Sequence, residues 1–180
     1  GKDFASKGLL QTNVGDADIL FTKKGEFLKA SVTTQGISVG HILDNAKFGV
    51  VAAALEAHGT KNNFAAKGIV SRFDFNNYSY HNIKLDGNYS QGQVKGLFSI
   101  DDPNIILSIN GDYSAQTKKY AVNASVNHLR PSILGIKMAD DTYCFNNINL
   151  SANNKDADNY LDLEAPFMDL HARGKYDLTK

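Results

Sequence analysis

The chain is poor in several residue types that usually announce a fold or a chemistry. It has no tryptophan, one cysteine, three prolines and only three glutamates. A lone Cys144 excludes an internal disulfide framework and any cluster of thiolate metal ligands. It leaves the redox compartment open, because an oxidising compartment does not oblige a chain to carry cystines. Charge of one sign is also missing: 19 basic residues balance 19 acidic ones. A global field for nucleic acid or anionic headgroups is therefore excluded. Long apolar runs are absent too. The longest, Val50 to Leu55, contains three alanines and is far short of the roughly 20 residues of a spanning helix. The first residues, Gly1, Lys2 and Asp3, show no apolar leader, and the Gly start suggests a segment of something larger.

What is present points to β structure. Aspartate, asparagine and glycine are abundant (16, 18 and 15 residues), and these favour turns and weaken helix interiors. Ten Phe and eight Tyr, with Val and Ile, supply strand formers. Period-two alternation recurs: Ile105, Leu107 and Ile109 share one face, as do Ile83, Leu85 and Tyr89, and Tyr120, Val122, Ala124 and Val126. Turn signals at Lys24-Gly25, His58-Gly59, Ser90-Gln91-Gly92 and Asp101-Asp102-Pro103 break the runs, so neighbouring strands should be antiparallel meanders. Two short helices are expected, within 36–46 and 130–138, the second opening on Pro131.

An internal repeat organises these strands. Tyr78-Ser79-Tyr80-His81-Asn82-Ile83-Lys84-Leu85 aligns with Tyr143-Cys144-Phe145-Asn146-Asn147-Ile148-Asn149-Leu150, 65 residues later. Pro103, Gly111 and Tyr113 recur as Pro166, Gly174 and Tyr176, and Ala30-Ser31-Val32 with Ser38 as Ala124-Ser125-Val126 with Ser132. One repeat-built region, 1–180, is expected. Its copies span about 26–113, with an inserted hairpin at 48–75, and about 120–178. Edge-to-edge stacking of such units makes an elongated, groove-like antiparallel sheet.

The segment Val39-Gly40-His41-Ile42-Leu43 followed by Phe48-Gly49-Val50-Val51 resembles a recurring phrase of the TamB/AsmA-like envelope proteins. So do Ile100-Asp101-Asp102-Pro103-Asn104-Ile105 with Gly111, and Leu161-Asp162-Leu163-Glu164-Ala165-Pro166 with Gly174-Lys175-Tyr176. The likeness covers most of residues 26 to 178. It implies a periplasmic, strand-rich segment of an inner-membrane-anchored protein that carries phospholipid acyl chains in outer-membrane assembly. In one branch of the family it also implies an outer-membrane barrel partner, engaged through regions outside this chain. Neither the membrane anchor nor the partner-binding domain of that family is recognisable in this sequence.

Motifs that could carry chemistry have simpler structural explanations. Gly36-Ile37-Ser38-Val39-Gly40 spells a nucleophile elbow, but the parallel strands and long helices that build one are not expected. Ser38 is therefore read as structural. His41, His58, His81, His128 and His171 lack ligand spacing. His58 belongs with Glu56 on a wet face, and His128 with the apolar parity of its strand. The pairs Asp16/Asp18, Asp101/Asp102, Asp140/Asp141 and Asp156/Asp158 lack calcium-loop spacing and suit turns. Cys144 shares parity with Ile148 and Leu150 and reads as a buried thiol. Asn77, Asn88, Asn123 and Asn149 head sequons that an Asn- and Ser-rich chain produces by chance. The recurrent Gly-x-Tyr reads as a strand feature, with the Tyr covering the glycine's face. No enzyme activity, metal or cofactor is expected.

Two functions are compatible with this pattern. In the first, one apolar sheet face forms a groove for phospholipid acyl chains, lined by Phe98, Ile100, Ile105, Leu107, Ile109, Val122, Val126, Leu161 and Leu163. In the second, those side chains close into the core of a β-sandwich binding or adhesion module for a glycan or protein ligand. An arginine at Leu107 separates them: a closed core loses its fold, whereas an open groove loses only its cargo.

Overall fold

The structure, a computed structural model, describes residues 3–154, 158–166 and 168–174. Asp156, Lys175 and Tyr176 lie outside the described residues. Among the described residues twelve strands succeed one another: β1 Phe4–Thr12, β2 Gly15–Lys24, β3 Phe27–Ser38, β4 Phe48–Thr60, β5 Asn63–Phe75 and β6 Tyr78–Ser90. The rest are β7 Gln93–Asp102, β8 Ile105–Ser114, β9 Lys119–Leu129, β10 Ile148–Asn153, β11 Asn159–Ala165 and β12 Met168–Gly174. All twelve form a single sheet in sequence order, and every pairing is antiparallel. The mainly β, elongated antiparallel sheet is thus present. The second sheet that a sandwich needs is not found among the described residues.

The turns fall where turn chemistry predicts, with one displacement. Gly25, Gln91-Gly92 and Pro103-Asn104 lie between strands, but β4 continues through His58-Gly59 to Thr60, and its turn is Lys61-Asn62. Asp16 and Asp18 also depart from expectation. They sit inside β2 and flank a bulge against β3, so they do not form a turn.

Among the described residues one α-helix is present, α1 Val39–Leu43, inside the expected window. The second expected helix is a single 3₁₀ turn, Pro131–Leu134. Proline opens it, and Gly135, at φ 77°, ends it in the left-handed region after four residues. A β-carbon on Gly135 would lie 2.9 Å from Asn76 Nδ2. The 3₁₀ segment therefore reaches from the end of β9 back to the β5–β6 turn, over one end of the sheet.

Parity fails where the backbone bulges or leaves the strand. Asn82 and Asn147, equivalent in the two aligned segments, are both left-handed, at φ 53° and 55°. Asn82 lets Tyr80 and Ile83 enter the same buried cluster. Asn147 breaks the alternation that linked Cys144 to Ile148. Cys144 is half-buried in the loop before β10, not a core thiol, and its Sγ donates to Thr142 O at 3.4 Å. A register shift between Ile106 and Leu107 turns His128 away from the face of Val126, where it meets Asn146 Oδ1 at 3.0 Å.

Candidate functional site: an apolar trough on one sheet face

In an antiparallel sheet, directly opposed residues project from the same face. One such line crosses all twelve strands: Gly8, Ile19, Val32, Leu55, Gly68, Leu85, Phe98, Ile109, Ala124, Leu150, Leu163 and Leu170. The line beside it is built of small residues: Ala30, Ala57, Ala66, Gly87, Gly96 and Gly111, ending on Val122. A third line is aromatic, running from Phe64 through Tyr89, Val94 and Tyr113 to Tyr120. The opposite face carries Glu56, Lys67, Asp86, Lys84, Ser99, Ser108 and Ser125, with isolated Leu20, Ile69 and Leu97 exposed among them.

The small-residue line forms the floor of a trough of about 840 Å³. Its walls come from every strand between β3 and β9, including Val32, Leu55, Leu85, Phe98 and Ile109. Seven strands span roughly 29 Å at ~4.8 Å per strand, so the trough crosses the sheet rather than sitting between two neighbouring strands. The walls are wet: Leu55 and Leu85 expose 43% and 40% of their surface.

Toward the other end of the same strands, the face is closed. Tyr80, Ile83, Ile100, Ile105 and Ile133 form a buried cluster, with Phe73, Phe75, Phe98, Leu107 and Leu129 packed against it. Ile133 belongs to the 3₁₀ turn, and Tyr80 Oη donates to its carbonyl at 3.1 Å. Phe48, Phe73 and Phe75 extend the cluster with ring centroids 5.0–6.2 Å apart.

Asp102 anchors this closed end. It is 2% exposed and accepts from Tyr78 Oη, from Asn104 N at 2.9 Å and from His81 N at 3.1 Å. Its second oxygen also meets His81 Nδ1 at 3.3 Å. Burial alone would raise this carboxyl, but the hydrogen bonds from Tyr78, Asn104 and His81 outweigh it and hold it below the ordinary value. The same burial, together with the Asp102 charge, pushes the Tyr78 hydroxyl up. This constellation is a turn anchor: it ties β6 to the β7–β8 turn. On the far face, Asp74 accepts two bonds from Arg72, at 2.8 and 2.7 Å, and one from Ser79 at 2.7 Å. The Arg72 hydrogen bond is the chief reason its carboxyl is lowered to about 2.

The nine lining residues expected from the sequence divide three ways. Phe98, Ile109 and Val122 line the trough. Ile100 and Ile105 are 8% and 6% exposed in the closed cluster, and Leu107 packs on it. Val126 pairs with Leu107 and Ile148, while Leu161 and Leu163 carry the same face across β11. The floor alanines and glycines are not among the nine. The recurrent Gly-x-Tyr is their one visible signal: Gly87 and Gly111 form the floor, and Tyr89 and Tyr113 rise beside it.

The nucleophile-like motif lies outside the trough. Ser38 precedes α1, and its Oγ lies 2.6 Å from His41 Nδ1, one helical turn on. Among the described hydrogen bonds no carboxylate orients His41. Gly40 has a packing reason: a β-carbon there would sit 2.1 Å from the Phe48 carbonyl oxygen. His58 meets Glu56 at 3.7 Å on the wet face. Among the described residues, no three His, Cys, Asp or Glu side chains converge as metal ligands, and no helix is long and apolar enough to cross a membrane. No protein-family model, curated protein or solved structure matches the chain.

Proposed function

We propose that this chain is a non-enzymatic, repeat-built segment of a TamB/AsmA-like envelope protein, and that its trough holds phospholipid acyl chains. The observation that carries the proposal is the continuous apolar line over twelve strands beside a floor of alanine and glycine. A face made only to be a core fills its volume with side chains, whereas this one leaves about 840 Å³ open to solvent. That volume lies within the ~300–1,000 Å³ of small-molecule sites. Each methylene of a chain laid there gains about 0.8 kcal/mol over water. Two further features support the repeat: the aligned segments share a left-handed Asn, Asn82 and Asn147, and residues 48–75 form the β4–β5 hairpin. A periplasmic place, an anchor in the inner membrane and an outer-membrane barrel partner belong to the same proposal and rest on the sequence resemblance.

The test is photocrosslinking to phospholipid in cells expressing the full-length parent, from a photoreactive residue at Ile109. Lipid adducts from Ile109, and none from exposed Lys84 on the far face, are expected. Reproducible absence of adducts at Ile109 in a folded, envelope-localised protein overturns the proposal.

A further inference from the structure

The trough has two unlike ends, and the difference bears on which amphiphiles it takes and which way round. At one end the 3₁₀ turn and the Tyr80–Ile133 cluster close the apolar face. At the other end the face continues, along Leu28, Phe64 and Tyr89, into a second concavity of about 640 Å³. That concavity is lined by Lys23, Lys61 and Glu26, and at its rim the Asp3 carboxylate accepts from Gly25 N at 2.8 Å. Lys23 pairs with Leu28 in the same line that carries Phe64 and Tyr89, so its side chain rises from the apolar face itself. On strands β2 to β9 the other charge on this face is Asp102, which is buried and occupied by hydrogen bonds. Neither Lys23 nor Lys61 has an ionic partner among the described residues. Phe64 and Tyr89, 44% and 37% exposed, stand between the trough and these lysines, and Tyr89 presents an apolar ring with a polar tip there. A half-buried lysine stem on apolar surface with its ammonium in water is the matching arrangement for a cation.

We infer that the trough binds anionic amphiphiles in one orientation, with the headgroup at Lys23 and Lys61 and the tail tip toward the 3₁₀ plug. The inference rests on the acyl-chain proposal above and adds headgroup charge and direction to it. Tail burial supplies the bulk of the affinity. The lysines supply a preference, which solvent screens to a few-fold.

Two lysophospholipids with the same saturated chain, lysophosphatidylglycerol and lysophosphatidylcholine, separate these contributions when titrated into the full chain at low ionic strength. The anionic probe should bind about three- to tenfold more tightly. High salt should abolish that preference, as should the double variant K23Q/K61Q. Gly96→Leu, which fills the floor, should abolish binding of both. Equal affinities that neither salt nor K23Q/K61Q alters overturn the inference and leave the acyl-chain proposal standing, whereas failure of both probes to bind overturns both. Orientation is read with a diazirine at the tail tip of the anionic probe. Adducts on Phe98, Leu107 or Ile109 support the stated direction, and adducts concentrated on Phe64 or Tyr89 overturn it.

Discussion

The closed end and the open trough are made by the same strands, on the same face, two to four residues apart. Along β7, Ile100 is 8% exposed beneath the 3₁₀ turn, whereas Gly96 leaves a gap at the trough floor. Two things separate the regions. One is side-chain volume: isoleucine and tyrosine at one end, alanine and glycine at the other. The other is a cover, since Ile133 is brought over the isoleucines by a segment that starts after β9 and reaches the β5–β6 turn. Apolar alternation alone therefore does not make a core. A sheet face becomes a core only where something is laid on it.

Arginine substitution should break the comparison most sharply. Ile100→Arg buries an unpaired charge and should prevent folding, at a cost beyond about 4 kcal/mol. Ile109→Arg, on a solvent-reached wall, should cost about 1–2 kcal/mol and keep the fold. Circular dichroism and urea denaturation of both variants check this, and equal costs would mean that the trough is a closed core. Leu107→Arg discriminates less, because Leu107 packs against the cluster.

The next largest effect is expected at the turn anchor. Asp102→Ala leaves His81 N and Asn104 N without their acceptor and should cost about 2–3 kcal/mol in urea denaturation. Any acyl-chain affinity of the folded fraction should be unchanged, since Asp102 does not line the trough. Gly96→Leu reverses that pattern. A β-carbon there meets only the Asp86 carbonyl oxygen, at 3.8 Å, and the rest of the side chain enters the open trough, so stability should shift by less than about 1 kcal/mol while lipid binding is lost.

A smaller effect comes with acid. The folded carboxyl of Asp74 lies near 2 against an ordinary 3.8. Its contribution to stability is therefore complete above about pH 4 and is lost as pH falls toward 2. Asp74→Asn should remove that part of the acid sensitivity, seen as a flatter melting temperature between those pH values. The smallest effect is expected at Ser38→Ala, which removes an exposed hydrogen bond to His41 and should change stability by less than about 0.5 kcal/mol. Stoichiometric labelling of Ser38 by a serine-directed phosphonate would instead show a nucleophile there.

Much of the fold is legible along the chain because strands and turns are local. Ile105, Leu107 and Ile109 alternate, Gly25 and Gln91-Gly92 supply turns, and short connections impose antiparallel neighbours. Local patterns fail at bulges and strand ends. Parity misplaces His128 because the Ile106/Leu107 shift reverses its facing, and Cys144 because it lies in the loop before β10, where strand alternation does not apply. The expected second helix is also longer than the observed one, since a glycine four residues after Pro131 halts it.

By itself the sequence determined a β meander with one apolar face, because period-two alternation and turn residues act within a few residues of each other. The tertiary structure alone decided which part of that face is trough and which is core. Ala30, Ala57, Ala66, Gly87, Gly96 and Gly111 lie far apart in the chain and become one floor only through register between strands. Ile133 becomes a plug only because the chain after β9 folds back over the sheet end. Register and fold-back are long-range choices, fixed by how whole strands pack, and no local pattern encodes them.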